Sequence, residues 1–508
     1  MTPSPVGTFC LVLHSHLPWL AHHGAWPVGE EWLYQAWAQS YLPLFDLLDR
    51  LGAQGRRDLL TLGVSPVLAA QLDDPYCLRG MHDWLGGWIL RAELAAGRAG
   101  KTDTAGRPGL RDTAEREFRA ANAALESFEQ RWRHGASPVL RRLVESGVVE
   151  LLGGPLTHPF QPLLHPRVRA FALAEGLADT ALRIGHRPAG IWAPECGYAP
   201  GMEHGYAAAG VQRFLVDGPA LGSETAGTAL AHRVGDSEVV CFARDVEVSF
   251  RVWSPRSGYP GDPSYRDFHT YDHPSGLRPA RVTGKEIAPQ DKAPYEPELA
   301  ARAVDLHVDD FVTVVRDRLA DLRDQHGRPA LVVAAFDTEL FGHWWHEGPA
   351  WLAGVLRALP EAGVRVSTLG AAQAEHLGEP VEPPACSWGA GKDWRVWDGP
   401  QVADLAAENG ALQDELLAAL PPPGPARDPV ADQAVRESML ALSSDWAFMV
   451  SRDSAADYGR RRAAEHLDRA RTLLRAGPCC GRVADLAAGR RAESPFGALD
   501  ARGLARTR

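Results

Sequence analysis

Short apolar runs, each the length of a β-strand, recur along this 508-residue chain and are separated by amphipathic helical patterns. The runs occupy residues 7–13, 59–64, 148–152, 190–193, 213–216, 239–243, 331–336 and 364–368. Helical periodicity lies between them, as in residues 41–51, 168–185 and 298–325. Strands that alternate with helices form parallel sheets with the helices packed outside, so we predict an α/β barrel of about seven or eight strands.

Two stretches depart from this alternation and predict the domain organisation. A charged, Ala-rich helical pattern near residues 76–135 indicates a helical insertion in the barrel. Beyond residue 384 the sequence has helical runs and no strong strand pattern. We therefore predict a catalytic domain over residues 1–384 and a helical domain over 385–508, with a mobile Ala-, Arg- and Gly-rich tail after about residue 485.

Charge and hydropathy exclude several classes of function. The chain has 64 acidic and 53 basic residues, a net charge of −11, so nucleic acid and acidic lipid surfaces are poor partners. Its longest apolar runs are far shorter than the roughly 18 residues of a membrane span, and its first residues lack a signal-peptide pattern. Seven cysteines are too few and too scattered for a disulfide framework. We expect a cytoplasmic protein with reduced thiols, and the sequence leaves its oligomeric state open.

The tryptophans give the first indication of a ligand. The chain has 16 Trp against 10 Tyr and 15 Phe, and many of the Trp lie beside Gly, Pro, Asp or His. Flat indole faces in loops suit the C–H faces of sugar rings. The alternative is that these side chains belong to the core.

Polar side chains follow four of the predicted strands, at residues 14–16, 153–158, 192–195 and 337–346. The carboxyl ends of parallel strands meet at one edge of a barrel, so we expect these segments to converge. Glu195 and Asp337 each follow a hydrophobic strand and have aromatic neighbours, and partial desolvation raises the pKa of a carboxyl group. Two carboxyl groups facing across a sugar-binding cleft are the minimum equipment for glycosidic bond cleavage.

An alternative assigns the same polar residues to a metal. His14, His16, His158, Asp337 and His343 could hold zinc or another divalent ion in a barrel hydrolase or a carbohydrate deacetylase. The remaining histidines do not form a tight second pair, and the many Trp and Gly suit a polysaccharide better, so we favour a glucan site without a metal. A non-catalytic glucan-binding protein is a further, weaker alternative, because both carboxylates are present.

Five segments, in order, resemble the signature segments of family 57 glycoside hydrolases. They read HSHLP (14–18), ELLGG (150–154), GIWAPECGY (190–198), AFDTELFGH (335–343) and SSDW (443–446). Two more stretches, within 252–262 and 387–397, are similar to the 1,4-α-glucan branching subgroup of that family.

The resemblance implies a fold and a reaction. The fold would be an incomplete (β/α)7 barrel with a helical insertion and a C-terminal helical domain that closes one side of the cleft. The reaction would be branching of a glycogen-like α-1,4-glucan by a retaining double displacement, with Glu195 as the nucleophile and Asp337 as the general acid/base. No metal or organic cofactor is implied.

The resemblance also implies a set of substrate-binding residues: His14, His16, His158, Trp192, Trp253, His343, Trp388, Trp397, Asp445 and Trp446. The first three would line the first sugar subsites with hydrogen bonds. Trp253, Trp388 and Trp397 would stack on sugar rings, and the pair 445–446 would bring the helical domain to the cleft.

One loop departs from the branching pattern. Branching members carry a loop with a tyrosine near its tip, and the corresponding residues 218–238 contain no Tyr. A transferase must exclude water from the glycosyl-enzyme, so hydrolase or 4-α-glucanotransferase activity is the alternative expectation. His232 is the only loop residue that could partly replace the tyrosine.

Overall fold

One sheet forms the centre of the molecule. The structure, a computed structural model, describes residues 5–26, 28–99, 109–222, 227–254, 256–420, 424–475, 481–492 and 495–506. In these ranges the strands are β1 (Gly7–Ser15), β2 (Leu60–Val64), β3 (Val149–Gly153), β4 (Gly190–Ile191), β5 (Arg213–Val216), β6 (His232–Arg233), β7 (Val240–Ala243), β8 (Ala330–Asp337) and β9 (Arg365–Ser367). The predicted strands are therefore present, and β6 is an additional strand of two polar residues, His232 and Arg233, which lie outside the apolar runs.

The strand order is β6-β7-β5-β4-β3-β2-β1-β8, with β9 paired to β1. Every pairing is parallel except that of β6 with β7. All nine residues of β1 are buried, which explains their continuous apolar pattern, since a parallel sheet is covered on both faces. The predicted α/β class with a mostly parallel sheet is confirmed; its closure into an incomplete seven-stranded barrel stays a prediction.

The helices of the described ranges pack around this sheet and continue beyond it. They are α1 (Glu30–Ala36), α2 (Leu42–Ala53), α3 (Pro66–Leu72), α4 (Pro75–Ala99), α5 (Leu110–Ser127), α6 (Ser137–Glu145), α7 (Pro166–Ile184), α8 (Met202–Ala208), α9 (Val246–Trp253), α10 (Pro297–His326), α11 (Gly348–Glu361), α12 (Leu369–Ala372), α13 (Arg395–Asp398), α14 (Ala403–Ala419), α15 (Pro429–Ala441), α16 (Ser444–Ser451), α17 (Ala456–Arg475), α18 (Gly481–Ala492) and α19 (Ala501–Arg506). Helices α4 and α5 pack on each other where the insertion was expected. The domain boundary at residue 384 stays a prediction.

The C-terminal segment differs from the expected mobile tail. Phe496 and Leu504 are buried in the main hydrophobic core. The Arg436 guanidinium donates to the Pro495 carbonyl oxygen at 2.5 Å, and the Ala501 N–H donates to the Asp432 carboxylate at 2.8 Å. The Ala-, Arg- and Gly-rich composition concealed these few anchoring side chains.

Strand register places the polar strand ends side by side. His14 near the end of β1 is paired with Asp337 at the end of β8 and with Gly63 in β2. Further along the sheet, beyond β2, strand β3 pairs with the two-residue strand β4, and Glu195 lies in the segment that follows β4. The carboxyl ends of these strands therefore share one edge, as the sequence predicts.

None of the helices in the described ranges combines the length and apolar character that crossing a bilayer needs. The described cysteines are buried free thiols: Cys10, Cys77, Cys196, Cys241 and Cys386.

Candidate active site

Glu195 lies in a strained turn directly after β4. Its backbone has φ 62° and ψ 19°, a left-handed conformation that is unfavourable for a residue with a side chain. Cys196 and His158, which also borders the site, have positive φ as well. Such strain persists only where the surroundings hold it, and it is concentrated at functional positions.

Two donors fix both oxygens of the Glu195 carboxylate. The Trp388 indole N–H donates to Oε2 at 2.9 Å, and the Ser444 hydroxyl donates to Oε1 at 2.9 Å. The Trp388 backbone N–H also donates to the Glu195 carbonyl oxygen at 2.8 Å. These donors come from segments 193 and 249 residues away in sequence, so the position of the carboxylate depends on the rest of the chain having folded.

Burial raises the pKa of Glu195 to about 7. The Trp388 and Ser444 hydrogen bonds lower it by stabilising the anion, whereas the negative charges of Asp445 and Asp337 raise it. The Asp337 charge acts directly on Glu195, which places the two carboxyl groups in one electrostatic environment.

Asp337 ends β8 and is held by the sheet itself. It keeps some solvent exposure but is surrounded by protein, and burial raises its pKa to about 6, against the lowering effect of the His16 and Arg244 charges. Among the described residues no donor is hydrogen-bonded to its carboxyl group, in contrast to Glu195. A carboxyl group with a raised pKa and no fixed donor is suited to giving and taking a proton near neutral pH.

Three imidazoles and one indole lie nearly parallel to one another in a column beside Glu195. The Trp192 and His14 rings lie 4.4 Å apart, His14 and His158 5.0 Å, and His158 and His16 3.7 Å, all within 19° of parallel. His14 Nε2 and His158 Nε2 share a hydrogen bond at 3.0 Å, and His158 Nδ1 is hydrogen-bonded to the Ser444 hydroxyl at 3.0 Å. Burial lowers the pKa values of His14 and His158 well below the usual range, so both rings are neutral. The column orients the hydroxyl that binds Glu195.

His16 and Asp445 form a charged pair at the end of this column. His16 Nε2 lies 2.9 Å from Asp445 Oδ2, and His16 Nδ1 is hydrogen-bonded to the Ser65 hydroxyl at 2.7 Å. Burial opposes the charge on both groups, but their attraction raises the pKa of His16 and lowers that of Asp445 to about 2. The pair links β1 to α16, so the C-terminal helices contribute directly to the site.

The metal alternative can be tested against this geometry. Ligand atoms of His16, His158 and Asp445 lie within 4.8 Å of one another. This group contains two of the five predicted ligands, without His14, Asp337 and His343, and adds Asp445. The two imidazoles are stacked face to face, so their in-plane lone pairs point side by side and do not converge on one point. The same side chains are already engaged in hydrogen bonds with Asp445 and Ser444. The arrangement fits a hydrogen-bonded column better than a metal centre.

Trp253 lies apart from the column, on the surface. It is 43% exposed at the end of α9, and its ring centroid is 6.1 Å from that of Trp344, which is 39% exposed. The two indoles form an open aromatic surface that a sugar can reach. Trp344 directly follows the predicted His343 and was not predicted as a substrate-binding residue. The presence of a tryptophan in a sequence does not indicate whether its side chain lies on the surface or in the core.

Three of the predicted substrate-binding residues are buried in the structure, and their contact with substrate stays a prediction. Trp397 is 2% exposed and stacks on Phe160 at 4.3 Å. Trp446 is equally buried and donates its indole N–H to the Leu440 carbonyl oxygen at 2.9 Å. His343 is buried against Gln39 and Phe268, and burial lowers its pKa to about 3. The aromatic ring in each motif completes the core, while its neighbours in sequence reach the site.

Three residues of the site were missed. Ser444 precedes Asp445 in a matched motif, and Glu339 follows Asp337 by two residues. Glu339 accepts hydrogen bonds from the Tyr41 hydroxyl and the His16 backbone N–H, and burial raises its pKa to about 8. Arg244 directly follows β7, and the strand-end argument used for Glu195 and Asp337 would have found it.

His232 anchors the loop 218–238, which lacks a tyrosine. His232 is buried, and its ring nitrogens lie 2.7 Å and 3.0 Å from the carbonyl oxygens of Glu379 and Gly227. The predicted partial substitution by His232 is therefore wrong, since both ring nitrogens face backbone. Residues 223–226 of this loop lie outside the described ranges.

A cavity of about 590 Å³ lies elsewhere, between α10 and α11. Its lining includes Tyr295, Val304, His346 and Arg357, and none of the predicted site residues. This cavity is therefore separate from the strand edge that holds Glu195 and Asp337.

Two family models match the chain. The model of glycosyl hydrolase family 57 matches residues 10–379, and the model of the 1,4-alpha-glucan branching enzyme C-terminal region matches residues 412–503. A protein of Mycobacterium tuberculosis named probable 1,4-alpha-glucan branching enzyme is 58% identical over 99% of both chains.

Solved structures agree with the family models. The crystal structure of a branching enzyme from Thermococcus kodakaraensis, in complex with glucose and additives, matches with a TM-score of 0.92 at 29% identity, covering 98% of this chain and 96% of that one. The alpha-amylase AmyC from Thermotoga maritima matches with a TM-score of 0.85 at 27% identity, covering 98% and 99%. The family model covers most of the chain and the sequence identity extends over nearly all of it, so the chain belongs to glycosyl hydrolase family 57.

Proposed function

We propose that this protein is a 1,4-α-glucan branching enzyme that uses Glu195 as nucleophile and Asp337 as general acid/base. The observation that carries the proposal is the pair of carboxyl groups at one sheet edge: Glu195 is held by two donors, and Asp337 has no fixed donor among the described residues. The relatives named as branching enzymes, which match over nearly the whole chain, support the choice of reaction.

In the first step, protonated Asp337 donates its proton to the glycosidic oxygen while the Glu195 carboxylate attacks the anomeric carbon. The α-1,4 bond breaks, the leaving chain keeps a free 4-hydroxyl, and the donor segment becomes a covalent ester of Glu195. The Trp388 and Ser444 donors orient the carboxylate before attack, which reduces the entropic cost of reaching the transition state.

In the second step, the Asp337 carboxylate takes the proton of a glucan 6-hydroxyl, whose oxygen attacks the anomeric carbon and releases Glu195. The product is an α-1,6 branch with the configuration retained. Water in place of the 6-hydroxyl would give hydrolysis, so exclusion of water sets the ratio of the two outcomes.

We also propose the domain arrangement and the sugar subsites that the family resemblance implies. The sheet would form an incomplete (β/α)7 barrel spanning residues 1–384, and the helical residues 385–508 would close one side of the cleft. The column of His14, His16 and His158 would border the first sugar subsite, and Trp253 would stack on the bound chain. A glycogen-like glucan in the cytoplasm is the proposed substrate.

Hydrolase or 4-α-glucanotransferase activity is the alternative that the missing loop tyrosine suggested. It is less well supported, because relatives at 58% and 32% identity are named as branching enzymes. His232 does not replace the tyrosine, so other groups must limit water. The indoles of Trp192 and Trp388, which meet edge to face at 4.9 Å beside Glu195, are the groups placed to do so.

The test is product analysis on amylose. We expect new α-1,6 anomeric signals in proton NMR, with few free reducing ends, and no product from the Glu195→Gln variant. Fast release of reducing ends with no α-1,6 signal would instead select the hydrolase, and linear chains of new length would select the glucanotransferase.

A further inference from the structure

We infer that Asp217, Arg244 and Lys392 form a positioning cluster that holds the Trp388 indole N–H on the Glu195 carboxylate. The inference rests on the proposed function, since it concerns how the nucleophile is oriented. None of the three residues lies in the five matched segments. They come from the ends of β5 and β7 and from the turn that follows Trp388.

Asp217 is the centre of the cluster. Its carboxylate is 1% exposed, and Oδ1 accepts hydrogen bonds from the Arg244 guanidinium at 2.8 Å and from the Gly218 N–H at 3.0 Å. Its other oxygen lies 2.6 Å from the Lys392 ammonium group. A buried carboxylate is costly to desolvate unless it is paired, and this one is paired with two cations.

Lys392 connects this carboxylate to Trp388. Its ammonium group donates to the Trp388 carbonyl oxygen at 3.0 Å while it contacts Asp217. The turn that brings the side chain back needs positive φ at both Gly391 (78°) and Lys392 (62°). Glycine adopts this conformation freely, but Lys392 does so at a cost that the surroundings must offset.

Arg244 acts on the indole from its face. Its guanidinium carbon lies 5.4 Å from the centre of the Trp388 ring, a cation–π distance. Trp388 is therefore held at its backbone by Lys392, at its ring face by Arg244, and at its edge by the indole N–H bond to Glu195. The arrangement leaves the indole little freedom to turn away.

Several charged groups lie close enough to Glu195 and Asp337 to influence the pKa values of these two carboxyl groups. Asp445 and Asp337 act on Glu195, His16 and Arg244 act on Asp337, and Glu339 is close enough to Asp337 for their charges to interact. Lys392 contacts Asp217 and the Trp388 carbonyl oxygen. We therefore expect its effect on Glu195 to pass through Trp388.

The experiment compares pH profiles of amylose cleavage for the wild type and Lys392→Met. Removing the indole bond raises the pKa of Glu195, and the optimum of a bell-shaped profile lies midway between the two apparent pKa values of the pair. We expect kcat/KM to fall about tenfold to a hundredfold as the indole loses its position. The optimum should move up by roughly 0.3–0.5 pH unit.

Three further variants keep the test decisive. Lys392→Arg retains the charge and should return the optimum toward that of the wild type. Arg395→Met removes a cation from the same segment, one that pairs with half-exposed Asp393, and should leave the optimum unchanged. Asp217→Asn should shift the optimum in the same direction as Lys392→Met. Thermal unfolding of each variant verifies that the fold persists.

The outcomes are distinct. An unchanged optimum in folded Lys392→Met, or an equal shift in Arg395→Met, would overturn the positioning role. Absence of amylose cleavage by the wild type would instead reject the proposed function. In that case, a carbon-13 NMR titration of the glutamate carboxyl groups, with the Glu195 signal assigned through Glu195→Gln, still reports whether Lys392→Met raises the pKa of Glu195.

Discussion

The two proposed catalytic carboxyl groups are held in different ways. Asp337 is the last residue of an eight-residue strand paired along its length with β1, so the sheet alone fixes its backbone. Glu195 follows a two-residue strand in a left-handed turn, and its carboxylate is fixed by Trp388 and Ser444 from segments far along the chain. One group is positioned by local secondary structure, and the other by tertiary contacts.

The difference fits the two tasks. A nucleophile must approach one carbon along one direction, so rigid donors on both oxygens favour the reaction. A group that donates a proton to one oxygen and later accepts a proton from another benefits from freedom to adjust. This division of roles predicts different losses when each carboxyl group, or a donor to it, is removed.

Removing each carboxyl group in turn should distinguish the roles most strongly. Glu195→Ala and Asp337→Ala should each lower kcat by roughly 10³-fold or more. Added azide should rescue both, with opposite stereochemistry. In Glu195→Ala, azide takes the place of the missing nucleophile, displaces the leaving group of the donor and gives the glycosyl azide of inverted configuration. In Asp337→Ala, azide displaces Glu195 from the covalent intermediate and gives the glycosyl azide of retained configuration.

The measurement is NMR of the azide products formed from an activated α-glucosyl donor. Identical products from the two variants would contradict the assignment of nucleophile and acid/base.

A smaller effect should separate two buried serines. Ser444→Ala removes a donor from the Glu195 carboxylate and should lower kcat/KM by roughly 30-fold, since a hydrogen bond to a charged group contributes about 2 kcal/mol. Loss of this bond also raises the pKa of Glu195, so the pH optimum should move up. Ser15→Ala is the matched control on the Asp337 side, because the Ser15 hydroxyl donates to Thr338 and not to a carboxylate.

Steady-state kinetics from pH 5 to 9 measures both variants. Equal losses, or an optimum that also moves in Ser15→Ala, would show that the two sides of the site are not held differently.

The smallest expected effect concerns the ion pair between His16 and Asp445. Asp445→Asn should lower the free energy of unfolding by about 1–2 kcal/mol near neutral pH, because the pair depresses the pKa of Asp445 to about 2. The depressed Asp445 pKa contributes stability above about pH 4, which is lost as pH falls toward 2. The raised His16 pKa contributes stability that is fully present below about pH 6.5 and is lost as pH rises through the folded-state pKa.

Urea unfolding of Asp445→Asn and the wild type at several pH values checks this window. The difference in unfolding free energy should be largest between about pH 4 and 6.5. A difference that does not vary with pH would mean that the side chain contributes through packing and not through its charge.

Sequence patterns predicted what depends on neighbouring residues. The apolar run 331–336 located β8 and therefore Asp337, and the same strand-end argument located Glu195 although its strand is only two residues long. The α/β class followed from the alternation of strands and helices. These features are encoded in periodicities of a few residues, which a sequence displays directly.

Contacts between distant segments were not predictable in the same way. Trp388 and Trp397 look alike in sequence, yet one donates to Glu195 and the other packs on Phe160 in the core. Lys392 and Asp217 are 175 positions apart, and nothing in either segment indicates that they pair. Pairing of this kind follows from the complete fold, so composition and spacing carry no trace of it.

The placement of Ser444 near the end of the chain has a consequence for biosynthesis. A growing polypeptide that has reached residue 400 already contains Glu195, Asp337 and Trp388 but lacks the hydroxyl that binds Glu195 Oε1 and the carboxylate that binds His16. Incomplete chains on the ribosome therefore carry a Glu195 carboxylate with one of its two donors missing and a His16 without its ion-pair partner.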